Sequence, residues 1–280
     1  MSRLTPITGL AEIAGRYGAL LVDQFGTLHG GGVAYPHAAE ALRRFRAGGG
    51  KVAVLSNSAK TGADNIARLA RFGFGSEHFD AVVTSGDAAQ AALRSGALGA
   101  GFLPGSKVHI SGKPDDDYGF GDLGFTLVGP DEAEGIILAA SQEPDRNWRE
   151  QIRDLTPAAQ RGVTVAVCNP DLEMLTPKGV RPSAGALARE LGREGAVLRY
   201  FGKPHADIYL TALAALGDPP PPTVLAIGDS PEHDIAGAAG AGLDSVLLRT
   251  GILGGADEAG LALRLPGGTR RVFSLAELRW

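Results

Sequence analysis

The chain has a single cysteine, Cys168, so neither an intrachain disulfide framework nor a cysteine-rich metal centre can be built from it. That usage fits a reducing compartment. No stretch approaches the roughly 18 consecutive apolar residues that a membrane span needs, and the N-terminal segment lacks the uninterrupted apolar core of a secretion signal. A cytoplasmic protein without a membrane partner is expected. Positive charge is also short: 27 Lys and Arg stand against 31 Asp and Glu, giving a formal net charge of -4 with no long basic block. A nucleic-acid polymer is therefore not an expected partner. Internal repeats and coiled-coil heptads are missing as well. What remains is a 280-residue chain, 44% hydrophobic and 21% charged, too apolar for disorder and able to bury one large core or two smaller ones. Its 41 glycines lack the collagen period, and many follow apolar runs, where they read as turns, helix ends and backbone openings.

The apolar runs 19–22, 51–55 and 81–83 read as strands, and the stretches 37–47 and 62–72 carry helix periodicity. The same alternation returns near the C-terminus, with extended segments at 197–201, 223–227 and 245–248 and helices at 207–216 and 235–241. Pro219 to Pro222 form a stiff connector. The middle supplies its own strands (108–111, 125–128, 135–139, 163–167) and helices (148–161, 184–191). Strands alternating with helices predict α/β architecture on parallel sheets, with functional groups at the carboxyl ends of strands. The expected division is a discontinuous core, residues 1–84 plus 201–280, with a second α/β domain inserted at 85–200.

Four polar segments close strands. Asp23 ends the first, followed by Gln24-Phe25-Gly26-Thr27; a carboxylate presented there can attack phosphorus, or can serve as a cap or turn anchor. Ser56 and Asn57 end the second, placed to bind phosphate oxygens, with helix capping around Ser58 as the alternative. Lys203, in Gly202-Lys203-Pro204, can neutralise phosphate and carboxylate, or can simply be solvated. Asp229 and Asp234 enclose a short loop at another strand end, a carboxylate pair suited to Mg²⁺, although Asp234 can equally cap the following helix. Cys168 closes an apolar run and reads as packing. Asn169-Pro170-Asp171 reads either as a substrate-facing loop or as an Asx turn.

Together these segments resemble the haloacid dehalogenase superfamily, specifically its NagD-like, class IIA phosphatases with a C2-type cap. The resemblance covers most of the chain. It implies a Rossmann-like core with a parallel sheet and a large inserted α/β cap that closes over the leaving group. It further implies a Mg²⁺-dependent phosphatase acting on a small phosphorylated metabolite through an aspartyl phosphate. Asp23 would be nucleophile and metal ligand, Lys203 its catalytic partner, and Ser56 and Asn57 phosphate contacts. Asp229, Asp234 and the main-chain carbonyl of Phe25 would complete the metal site. Thr84-Ser85-Gly86 and Asn169-Pro170-Asp171 also look like that group, which makes Asn169 and Asp171 substrate contacts. A homodimer is compatible with the family.

One departure stands out. Members of the family usually carry a second Asp two residues after the nucleophile, which protonates the leaving oxygen; this chain has Phe25. A benzyl group transfers no proton, and general acid–base help is worth about 10²- to 10⁴-fold. His29, in a glycine-bordered loop, is one candidate replacement or substrate contact, and His233, beside Asp234, is a candidate for positioning substrate or water. A slow phosphatase or a phosphometabolite-binding protein without useful turnover both follow from Phe25. Dehalogenation and phosphonate cleavage fit the motifs less well.

Overall fold

Short apolar runs flanked by turns become strands here, and strands buried on both faces dominate the centre of the chain. The computed structural model describes residues 4–254, 260, 262 and 264–280. In chain order its strands are β1 (Leu4–Pro6), β2 (Ala19–Asp23), β3 (Lys51–Ser56), β4 (Ala81–Thr84), β5 (Lys107–Ser111), β6 (Thr126–Leu127), β7 (Gly135–Leu138) and β8 (Thr164–Val167). They continue with β9 (Glu173–Thr176), β10 (Gly179–Pro182), β11 (Val197–Tyr200), β12 (Val224–Gly228), β13 (Asp244–Leu248) and β14 (Val272–Leu275). The helices are α1 (Ala38–Ala47), α2 (Gly62–Arg71), α3 (Ser85–Arg94), α4 (Trp148–Gln160), α5 (Ala184–Arg193), α6 (Ala206–Ala215) and α7 (Ala236–Gly240).

The chain forms two compact units. The first comprises Met1–Ser56, Ala63–Val83 and Lys203–Trp280; the second comprises Asn57–Gly62 and Thr84–Gly202. The segment Asn57–Gly62 thus groups with the inserted region rather than with its sequence neighbours, because its contacts are made there. Gly86 shows why: a Cβ on it would sit 2.2 Å from the Ala59 carbonyl oxygen, and its N–H donates to Ser58 O at 3.0 Å.

The first unit holds a seven-stranded sheet in the order β1-β14-β13-β12-β2-β3-β4. Its two faces are written in alternate residues. Leu20, Val22, Val52, Val54, Leu225 and Ile227 pack with Ala41, Leu42 and Phe45 of α1. Ala19, Leu21, Ala53, Leu55, Val224 and Ala226 pack with Ile208, Ala212 and Leu213 of α6. Burial on both faces explains why these strands read as continuous apolar runs instead of alternating ones. Strands β12, β2 and β3 are mutually parallel, with Ile227 beside Val22 and Leu55 beside Asp23. Their carboxyl ends therefore emerge at one edge.

The second unit holds a five-stranded sheet, β11-β8-β7-β5-β6, parallel throughout, and a separate antiparallel hairpin, β9 with β10. Ile136, Leu138, Val165 and Val167 meet Leu155 and Ala158 of α4 and Leu187 and Leu191 of α5 on one face. Val108, Ile137, Ala166 and Cys168 join Ala89 and Leu93 of α3 on the other. Cys168 is fully buried and its thiol pKa is pushed well up by that burial, as expected for a packing residue. No helix among the described residues is long and apolar enough to cross a membrane.

Candidate active site

The chain leaves β2 toward β3 and leaves β12 toward β13 on the opposite side, so the crevice beyond β2 and β12 is a topological switch point. Asp23 is the last residue of β2 and Asp229 the first beyond β12. Asp234 arrives by a different device. Residues Pro231–Ile235 form a single π-helical turn ahead of α7, in which Ile235 N–H reaches back to Ser230 O at 3.2 Å. The wider turn brings Asp234 back over the strand end, where its Oδ2 accepts from Ser230 N–H at 3.1 Å. The three buried carboxylates offer oxygens that all lie within 4.8 Å of one another.

Lys203 reaches into this cluster from the loop before α6. Its Nζ donates to Asp23 Oδ1 at 2.5 Å and to Asp234 Oδ1 at 2.7 Å, and the residue is only 3% exposed. One ammonium cannot balance three carboxylates. Burial holds the Asp229 carboxyl well above the usual range, the charges of Asp23 and Asp234 push the same way, and the Ile252 N–H and Lys203 oppose them. The three carboxylates thus outnumber the one ammonium bonded to them. Glycines keep the space around it open: a Cβ at Gly26 or Gly251 would lie 2.2 or 1.8 Å from Asp229 Oδ2, and one at Gly228 would meet Asp234 Cγ at 2.1 Å. Gly26 and Gly251 also have positive φ, +90° and +53°. Oxygen-only donors, a cradle closed to any side chain and an unbalanced negative charge fit a hard divalent cation held by Asp23, Asp229 and Asp234.

The other expected site residues fall into two groups. Ser56 ends β3 beside this cluster's strand, 7% exposed, and His233 sits in the π turn with Nδ1 3.3 Å from Lys203 O. Asn57, Asn169 and Asp171 belong to the second unit, where Asn57 Nδ2 donates to Asp171 Oδ1 at 2.7 Å. Asn169 forms the Asx turn: its Oδ1 accepts from Asp171 N–H at 3.0 Å. Gly202 closes this arrangement, since a Cβ there would stand 2.5 Å from Asn57 Oδ1.

His29 does not behave as the sequence suggested. Its ring is fully buried, stacked on Phe72 at 4.3 Å and met edge-on by Phe25 at 5.6 Å. Gly31 N–H donates to Nδ1 at 3.1 Å, and the Gln24 Nε2 amide nitrogen stands 3.2 Å from Nε2. Desolvation, aided by the positive charge of Arg68, lowers its pKa to about 4. Both nitrogens are engaged and the ring is neutral at physiological pH, so His29 is a packing residue and does not replace the missing acid.

Two contributors escaped sequence reasoning. Tyr209, central in α6, sends its hydroxyl to the carbonyls of His233 and Asp234, 3.2 Å from each, and so supports the π turn. Within an apolar helix a tyrosine signals only core. Gly251, one residue past Thr250, was one glycine among 41, and nothing local ties it to Asp229.

Comparison with known proteins places these residues in context. A family model described as haloacid dehalogenase-like hydrolase matches residues 20–126, and a second, HAD-hydrolase-like, matches residues 200–268. A D-glycerol 3-phosphate phosphatase of Mycobacterium tuberculosis is 28% identical over 244 residues, which span 87% of this chain and 66% of that protein. The chain thus covers just under two thirds of this longer relative. A phospholysine phosphohistidine inorganic pyrophosphate phosphatase of Xenopus laevis is 28% identical over 248 residues, 86% of each chain. Among solved structures, a haloacid dehalogenase-like hydrolase from Brucella suis superposes with a TM-score of 0.82 at 27% identity, covering 97% of this chain and 99% of its own. A glycerol phosphate phosphatase from Mycobacterium tuberculosis, solved in complex with calcium, has a TM-score of 0.69 at 26% identity, covering 95% of this chain and 72% of its own.

Proposed function

Because this chain belongs to the haloacid dehalogenase superfamily, among its NagD-like phosphoric monoester hydrolases, we propose that it hydrolyses a small phosphorylated metabolite through an aspartyl phosphate on Asp23, with Mg²⁺ as cofactor. The observation that carries this reading is the convergence of Asp23, Asp229 and Asp234 on one buried point with Lys203 bonded to two of them.

Asp23 is the nucleophile: one carboxylate oxygen forms a bond to phosphorus as the bond to the leaving oxygen breaks. Lys203 fixes the attacking carboxylate and offsets charge on the transferring phosphoryl group, and Ser56 contacts its oxygens. Water then attacks phosphorus, the Asp23–phosphorus bond breaks, and inorganic phosphate leaves with one water consumed. Asp23, Asp229, Asp234 and the Phe25 carbonyl would hold Mg²⁺, which when bound would supply electrostatic stabilisation of negative charge at the site. His233 positions substrate or water beside Lys203. The second unit serves as the cap, with Asn57, Asn169 and Asp171 as its polar contacts, and the setting is the cytoplasm, with a homodimer compatible with the reading.

Nothing at Phe25 or His29 protonates the departing oxygen, so turnover favours leaving groups that depart as stable anions. That same gap favours a second reading, a phosphometabolite-binding protein with negligible turnover. Inorganic phosphate release across a panel of small phosphomonoesters, with Mg²⁺ or chelator and with Asp23→Asn as control, separates the two. Metal-dependent release that disappears in the variant supports hydrolysis; tight metal-dependent ligand binding with no release supports the second reading.

A further inference from the structure

The second unit has a cavity of its own that the proposed reaction does not use. It measures about 450 Å³, within the usual size of small-molecule sites. Its position follows from topology. From β5 the chain passes to β6 on one flank, and from β7 it passes to β8 on the other. Connections therefore diverge between β5 and β7, whose last residues, Ser111 and Leu138, are in register. Parallel sheets take ligands at such a point, beyond the carboxyl ends of the strands. Ser111 at the end of β5 and Gly112 and Lys113 just beyond it line the cavity, with Gln142 from the segment after β7 and Gln151 and Asp154 from α4.

The floor is built rather than left over. Gln151, 2% exposed, donates to Ser111 Oγ at 2.9 Å and to Ala140 O at 3.0 Å, and its Oε1 accepts from Gln142 N–H at 3.0 Å. Gln142 in turn donates to Gly112 O at 2.8 Å. A single buried amide thus ties the ends of both strands, at a desolvation cost that only full hydrogen bonding offsets. The charges do not cancel in the same way. Asp116 is met by Lys60 at 2.6 Å and Asp154 by Arg146 at 2.5 Å, whereas Lys113 has no ion pair among the described residues. The neighbouring Asp115 and Asp117 are exposed and do not line the cavity. Apolar walls come from Pro130, Leu155 and Tyr118.

We propose that this cavity is a second small-molecule site, taking a small organic monoanion whose carboxylate pairs with Lys113 and whose polar body bonds Gln142 and Ser111. One uncompensated cation suits one negative charge. A phosphate dianion would bring its second charge toward Asp116 and Asp154, and the other cation in the lining, Arg146, is already held by Asp154 and Glu150.

The test is a set of ¹H–¹⁵N titrations of the full chain with D-glycerate, L-lactate, inorganic phosphate and glycerol. Saturable shifts of the Gly112, Lys113, Gln142 and Gln151 amides with a carboxylate and not with glycerol are expected. Lys113→Ala should weaken that binding by about tenfold or more while leaving phosphate release unchanged, and the spectrum itself reports that the variant is folded. Silence of these amides toward both carboxylates, a response to phosphate alone, or undiminished carboxylate binding in Lys113→Ala would each overturn the proposal.

Discussion

Both units are built on parallel sheets, and in both the strand connections diverge above one pair of strand ends. The two crevices differ in how they are filled. Above β2 and β12 stand three buried carboxylates with one lysine, a set that cannot balance itself. Above β5 and β7 stands Gln151, a neutral amide whose bonds close within the unit. Topology alone therefore presents polar groups at these points; the charge of the side chains decides what each crevice demands. The first calls for a cation and for substrate charge. The second calls for no metal cation, and its one lysine, Lys113, unpaired among the described residues, leaves room for a single negative charge.

The largest effect that would sharpen this contrast is expected from Asp23→Asn. Loss of the nucleophile should lower phosphate release by at least about 10³-fold, while removing one of three mutually repelling carboxylates leaves the metal-free fold as stable or more so. A variant that lost stability as well as activity would show that Asp23 is held for structure. Phe25→Asp acts in the opposite direction. It restores a proton donor two residues after the nucleophile and should raise turnover about 10²- to 10⁴-fold on alkyl phosphates, with a smaller gain on p-nitrophenyl phosphate. Equal gains on both leaving groups would rule out acid catalysis as the cause.

Lys203→Met probes the imbalance directly. It strands three buried carboxylates without their ammonium and should cost about 3–5 kcal/mol in chemical denaturation without divalent cation, a loss that added Mg²⁺ partly recovers. Cation binding to the parent protein is the next effect in size. At a hundredfold excess over its dissociation constant, Mg²⁺ should add about 2.7 kcal/mol. Hydrogen exchange should show added protection at the ends of β2 and β12 and none at β5 and β7. Protection of both sheets alike would break the comparison.

Much of this was legible in the residues. The strands buried on both faces announce themselves as unbroken apolar runs, and each ends in, or is followed at once by, the polar residue that later matters: Asp23, Ser56, Asp229. Strands β1 and β14 were not legible, because three residues ending in Pro6 and the brief run Val272–Leu275 acquire meaning only by pairing with each other across the length of the chain. The β9–β10 hairpin was hidden for a related reason, since its residues alternate weakly and are largely exposed. At the site, identity could be read but direction could not. Asp234 was equally a helix cap until the π turn and Tyr209 carried it over the strand end. His29 looked available because glycines surround it, yet its stack on Phe72 depends on a residue more than forty positions away.

That stack leads to the smallest effect. His29 is held neutral in the fold, with its pKa lowered from 6.5 to about 4, so the unfolded chain takes up the proton first as pH falls. Its contribution is fully present above pH 6.5, declines as pH drops toward 4 and is flat below, amounting to at most about 3 kcal/mol. His29→Gln removes the titration while keeping a polar group in place. Carboxylates titrate over part of the same range, so the informative quantity is the difference between the two stability curves. Between pH 6.5 and 4 the parent should lose stability faster than the variant, by up to one proton's worth of slope, and the curves should run parallel outside that window. Parallel curves throughout would mean that the imidazole protonates as readily inside the fold as outside, and would return His29 to the list of groups able to move a proton beside Asp23.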